Sequence, residues 1–208
     1  GAGSAPIVRG ATIDGLITRG LNLWGNSGGL LSDLEISNIS GSTMAISAGI
    51  WVEDSIPLIE ESSIKRSDNG IFVRHITEGW TTRPTFASVV VEDSMYRGVM
   101  VEQYNHSQYS NLPLNAIFND ITVRGTGGPG AKTQGLSVAA FDINTSGVHI
   151  DFGLIEDNEA VGLRGYMIDS STIINRLDMM RNGNPSPVSP YNDRAGMFLR
   201  SANWAPTV

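Results

Sequence analysis

Gly70-Ile71-Phe72-Val73 is one of seven stretches in this chain that read glycine, apolar residue, any residue, then a fourth that is apolar in all but one copy. The others are Gly20-Leu21-Asn22-Leu23, Gly49-Ile50-Trp51-Val52, Gly98-Val99-Met100-Val101, Gly135-Leu136-Ser137-Val138, Gly162-Leu163-Arg164-Gly165 and Gly196-Met197-Phe198-Leu199, at intervals of 21 to 37 residues. A second strand-like run precedes each copy, centred on Ile13, Ile36, Ile64, Val91, Val123, Ile155 and Met179. In four of the seven units the two runs stand only 6 or 7 residues apart. A unit this small cannot bury its apolar face alone, so neighbouring units must stack into a solenoid.

The period-two rule of strands puts the two apolar residues of each copy on one face. Ile50 with Val52, Ile71 with Val73 and Val99 with Val101 are therefore expected to point inward. The glycine belongs at a turn or at a close approach between coils, where a side chain does not fit. The earlier runs alternate in the same way, as in Leu34-Glu35-Ile36 and Ile121-Thr122-Val123. The units are too short for a strand–helix–strand crossover, and a 3.6-residue period is missing. Two or three short strands per coil of about 22 residues fit an all-β fold, a single-stranded right-handed parallel β-helix of about seven coils. At roughly 4.8 Å per coil the rod would be on the order of 34 Å long. The longer units read as the same coil carrying insertions at Thr77–Thr85, Gln103–Leu114, Gly125–Gln134 and Gly183–Arg194.

In the phrases Ile155-Glu156-Asp157-Asn158-Glu159-Ala160-Val161-Gly162-Leu163 and Ser67-Asp68-Asn69-Gly70-Ile71-Phe72-Val73 the chain resembles the right-handed parallel β-helix repeat proteins, the group that includes the pectate-lyase-like enzymes. The likeness spans nearly all residues from 7 to 200. It implies the fold, and leaves a range of functions: polysaccharide lyases, hydrolases and epimerases, phage tailspikes, and surface proteins without activity. No catalytic signature of that family is matched, so the fold alone assigns no chemistry.

Composition narrows the classes. The 208 residues are enough for one domain with a sizeable core, and 24 of them are glycine. Net charge is −7, with two lysines, Lys65 and Lys132, and no basic block, so nucleic acid is not an expected partner. No apolar run approaches the roughly 18 residues of a membrane-spanning helix. The absence of cysteine rules out disulfides, thiolate metal sites and cysteine nucleophiles. Residues 1–208 read as a single β-helix domain, the mature portion or a fragment of a longer protein. The opening Gly-Ala-Gly-Ser reads as a scar or the start of an excised region, and neither end reads as a polar cap.

Candidate functional residues follow from the register. The third residue of each copy should face outward: Asn22, Trp51, Phe72, Met100, Ser137, Arg164 and Phe198. Trp51, Phe72 and Met100 would then form an exposed apolar stripe, a protein interface or a sugar-stacking platform unless a loop such as the one bearing Trp80 covers it. Two residues on, the outward column reads Trp24, Glu53, Arg74, Glu102, Ala139, Tyr166, Arg200. Glu53, Arg74 and Glu102 make a ladder of alternating charge. Such a row either supports strand pairing or grips an acidic or neutral glycan, and two carboxylates two coils apart approach the separation of an inverting glycosidase.

Asp93, Tyr96 and Arg97, with Glu92 beside them, cluster ahead of Gly98, and the resemblance makes Asp93 and Arg97 the catalytic candidates of a β-helix lyase. Tyr104 and Tyr109 flank His106 in a polar loop suited to binding. The three histidines, His75, His106 and His149, have no zinc-ligand spacing. Asp151, Glu156, Asp157 and Glu159 are candidate calcium ligands, although the glycine-rich calcium repeat is missing. Asn38, Asn105 and Asn144 head glycosylation-type triplets.

These features lead to the expectation of a non-catalytic extracellular or cell-surface module, structural or adhesive, part of a surface protein, filament or phage fibre. It would self-associate through its open solenoid ends, or continue into further chain, and would contact polysaccharide without a cofactor. The competing expectation is a lyase, hydrolase or epimerase acting on an acidic glycan along Glu53, Arg74, Asp93, Arg97 and Glu102.

Overall fold

The computed structural model describes residues 3–15, 18–41, 47–77, 80–103, 114–127, 139–145, 147–159, 161–168, 170–183 and 196–201. These form strands and no helix. In chain order they are β1 (Ile7–Arg9), β2 (Thr12–Asp14), β3 (Arg19–Trp24), β4 (Leu30–Ser32), β5 (Glu35–Ile39), β6 (Ala48–Glu53), β7 (Leu58–Ser67) and β8 (Asn69–His75). There follow β9 (Thr85–Glu92), β10 (Arg97–Gln103), β11 (Ile117–Arg124), β12 (Ala139–Asn144), β13 (His149–Glu156), β14 (Val161–Ile168), β15 (Ile173–Met180) and β16 (Met197–Ser201).

The chain alternates between two parallel sheets. Sheet A orders its strands β1-β4-β7-β9-β11-β13-β15, with β2 and β5 paired alongside, and sheet B runs β3-β6-β8-β10-β12-β14-β16. Each pass adds one strand to each sheet beside its predecessor, an arrangement consistent with a parallel β-helix.

Sheet A stacks the seven earlier runs in register: Ile13, Ile36, Ile64, Val91, Val123, Ile155 and Met179 lie directly above one another. Sheet B does the same for the glycine motifs. Ile50, Val52, Ile71, Val73, Val99 and Val101 all fill one continuous core, facing Ile36, Ile64, Val91 and Val123. Inside it Phe86 and Phe118 stack with ring centroids 5.0 Å apart. Parallel strands paired on both edges satisfy their backbone groups on the neighbouring coils, so apolar side chains can fill the interior without stranding polar backbone.

The motif glycines owe their place to close approach. A Cβ on Gly20 would stand 2.6 Å from Ile36 Cγ2 and 2.7 Å from Gly49 O, and one on Gly98 would stand 2.6 Å from Ala140 O. That column corrects one expectation. The strand paired with β10 is β12, with Val99 opposite Phe141, Met100 opposite Asp142 and Val101 opposite Ile143. The copy in that coil is therefore Ala140-Phe141-Asp142-Ile143, with alanine where the others have glycine. Gly135-Leu136-Ser137-Val138 lies outside the described residues, and the outward places opposite Met100 and Glu102 are held by Asp142 and Asn144.

Two columns of left-handed residues turn the chain at the same points in every pass. The first comprises Gly10, Asp33, Glu61, Ser88, Asp120, Phe152 and Arg176, the second Gly15, Asn38, Arg66, Asp93, Gly125, Asp157 and Arg181. A single left-handed residue reverses local twist sharply, and Asn and Asp tolerate it better than most. Backbone bonds between coils hold these corners: Asp33 N donates to Glu60 O (3.2 Å), Asp93 N to Arg124 O (3.0 Å) and Asp157 N to Met180 O (3.1 Å). Residues 78–79 of the first expected insertion and most of the other three (104–113, 128–134 and 184–194) lie outside the described residues.

Candidate functional site on the outer face of sheet B

Alternation along β3, β6, β8, β10, β12 and β14 sends one residue per strand outward in register: Asn22, Trp51, Phe72, Met100, Asp142 and Arg164. Trp51, Phe72 and Met100 do share this face, but they are not an exposed stripe. They are 2 %, 4 % and 7 % exposed and form a second apolar cluster with Ala48. Trp51 and Phe72 stack face to face, centroids 4.2 Å apart and planes within 3°. The Arg19 guanidinium lies 3.8 Å over the Trp51 ring, and burial lowers its pKa. At this column of β6, β8 and β10 sheet B is thus covered on both faces, as parallel sheets commonly are.

The next outward column is Trp24, Glu53, Arg74, Glu102 and Asn144. Arg74 Nε stands 3.3 Å from Glu102 Oε1, both side chains about a fifth exposed. Trp51 Nε1 donates to Glu53 Oε2 at 3.3 Å, tying the ladder to the aromatic cluster beneath. Burial pushes the Glu102 carboxyl above its ordinary value, against the opposing pull of Arg74 and Arg97. Trp24 is 61 % exposed at the end of this row. The Trp80 ring sits beside Gly25, 3.7 Å from where a Cβ would stand.

Asp142 anchors the far side of the face. It is fully buried, accepts from Arg97 Nε at 3.1 Å, and takes Arg164 Nε (3.0 Å) and Nη2 (2.6 Å) on its two oxygens. This paired fork geometry is the strongest hydrogen-bonded ion pair available to a carboxylate. A third buried polar group joins Asp54, His75 and Thr82 where sheet B leaves for the next coil. His75 Nδ1 is 2.8 Å from Thr82 Oγ1 and 3.0 Å from Asp54 Oδ1, and Ile76 N donates to the same oxygen at 2.9 Å. Burial alone would raise the Asp54 pKa. Hydrogen bonds from His75, Thr77 and the Ile76 and Thr77 backbone overcome it and bring the value to about 2.

The residues expected to cluster around Asp93 take partners on other coils. Asp93 occupies a left-handed corner; Glu92 reaches Lys65 (2.8 Å) and Arg124 on the flanking coils; Tyr96 is buried; Arg97 turns to Asp142. Adjacent residues around a corner point in different directions, which nearness in sequence cannot reveal.

Of the four acidic residues considered for calcium, Asp151 pairs with Arg176 at 2.7 Å, and Glu156 and Asp157 pair with Arg181. Among the described residues no group of three or more His, Asp or Glu gathers as a metal site. Asn38 Nδ2 donates to Asp14, and its Oδ1 accepts from Arg66. Tyr104, Tyr109 and His106 lie outside the described residues. No helix among the described residues is long and apolar enough to cross a membrane.

Two constellations escaped the sequence reading. Asp142 was hidden because its coil carries alanine in the glycine place; a pattern allowing Gly or Ala would have found it. Asp54, His75 and Thr82 come from two coils of very different loop content, and no spacing marks them. No protein-family model matches the chain, and no curated protein matches its sequence.

Proposed function

We propose that this chain is a right-handed parallel β-helix of about seven coils, related in fold to the pectate-lyase-like proteins, and that it acts as a non-catalytic extracellular module. Its ligand is a glycan laid along the axis on the column Trp24, Glu53, Arg74, Glu102. The observation that carries this reading is the register: one polar or aromatic side chain per coil, spaced about 4.8 Å apart, beside a column where β6, β8 and β10 are covered on both faces. That spacing is close to the advance of one extended sugar ring. Exposed Trp24 and Trp80 offer stacking surface at one end, and Arg74 and Glu102, each about a fifth exposed, offer hydrogen bonds in the middle.

The charged groups of the face already hold one another, Arg74 with Glu102 and Asp142 with two arginines, which favours binding over turnover. Large apolar side chains stand exposed at the first and last described coils, Ile7 at one and Ile173, Met197 and Leu199 at the other. Self-association of copies end to end would cover them.

A panel of neutral and acidic polysaccharides titrated calorimetrically tests the reading. Binding that weakens about tenfold or more in Trp24→Ala and Arg74→Ala, with no new reducing ends or unsaturated products, is the expected result. The raised Glu102 pKa favours one second reading, a hydrolase using Glu102 as general acid. Products that disappear in Glu102→Gln would replace the binding module with that enzyme.

A further inference from the structure

Away from this face, where the chain enters sheet A, three successive coils enclose a recess of about 270 Å³ lined by Arg83, Asn115, Ile117, Gly147 and His149. The coils are in step: Arg83 N donates to Ser55 O, Asn115 N to Thr82 O and His149 N to Ala116 O. Position 147, a glycine in the left-handed region, packs closely against one wall of the recess. A Cβ there would stand 2.7 Å from Leu114 O and 3.1 Å from Asn115 Oδ1, so a side chain at this position would crowd the wall.

Six described arginines of this acidic molecule, Arg74, Arg97, Arg124, Arg164, Arg176 and Arg181, are held in ion pairs with carboxylates. Arg83 holds none among the described residues, and no described carboxylate lines the recess. A guanidinium, an amide and an imidazole converge on one polar hollow, with Ile117 as its apolar patch.

We infer that this recess is a binding site for a single sugar ring bearing a small oxyanion, a carboxylate or a sulfate. Arg83 provides the forked donor that matches either group, Asn115 and His149 add directional hydrogen bonds, and Ile117 packs against the ring. The volume lies just below the usual range of ligand pockets, which suits one ring and not a chain. The inference does not rest on the ladder of sheet B, and either can fail without the other.

The test is a titration of the isotopically labelled chain with glucuronate, with glucose 6-sulfate and with glucose, followed by amide chemical shifts. Saturable shifts at Arg83, Asn115 and His149 with glucuronate, and none with glucose, are expected. Affinity should fall at least tenfold in Arg83→Gln and several-fold in His149→Gln, while Arg74→Gln leaves it unchanged. Binding of the sulfate as well would show that the oxyanion is recognised whatever its source. Arg83 is exposed, so its substitution leaves the fold intact. Equal shifts with glucose, unchanged affinity in Arg83→Gln, or no saturation in the tens of millimolar would each overturn the site.

Discussion

The outer faces of the two sheets solve the same problem differently. Sheet A meets solvent with ion pairs between coils: Lys65 with Glu92, Arg124 with Glu92, Arg176 with Asp151 and Arg181 with Asp157. Arg176 also lies 3.3 Å over the Phe152 ring. Sheet B hides its equivalent positions, the Trp51–Phe72 stack and the Asp142 clamp. One backbone repeat thus carries a solvated face and a covered one. Strand periodicity decides which residues share a face, and the rest of the chain decides whether that face sees water.

Asp142→Ala presses hardest on this contrast, because it leaves Arg97 and Arg164 without their shared counter-charge. Breaking a buried pair from one side costs about 3–5 kcal/mol, and urea unfolding should show a loss of that size. Trp51→Ala comes next. If the outer face of sheet B is packed as described, the loss is about 3–5 kcal/mol, whereas an exposed stripe would give less than about 1 kcal/mol. At the other extreme, Lys65→Ala on sheet A should cost no more than about 1 kcal/mol, and the difference from the parent should shrink in high salt.

Acid titration separates the faces in another way. Asp54 is depressed from 3.8 to about 2, so its contribution is complete above its ordinary value and is lost as pH falls through that interval. Glu102 is raised, so its effect has the opposite sign: stability declines as pH rises through its ordinary value of 4.5 toward its folded value. Comparing Asp54→Asn with Glu102→Gln in chemical denaturation across this range should flatten the two slopes independently.

Much of this was legible in the chain. Each of the seven runs from Ile13 to Met179 stands in register, because an apolar centre repeated along a solenoid has one place to go. The charge ladder from Trp24 to Glu102 was also placed correctly, since counting two residues along a strand conserves the face. Burial of Trp51 was not legible, because covering a face is a tertiary matter that hydrophobic period does not encode. Asp93 misled for a related reason: corner residues crowd together in sequence while their side chains leave for different coils. Asp142 was lost to a single Gly-to-Ala exchange in the repeat.

Parallel in-register stacking of each pass on the one before it is the claim beneath every column described. With no native cysteine to interfere, Arg124→Cys combined with Glu156→Cys places two thiols on register partners of β11 and β13. Their Cα separation, about 4.8 Å, falls inside the disulfide range. Mild oxidation should form an intramolecular crosslink in this pair and little in the off-register pair Arg124→Cys with Leu154→Cys. Equal or faster closure of the off-register pair would contradict the stacked-coil architecture.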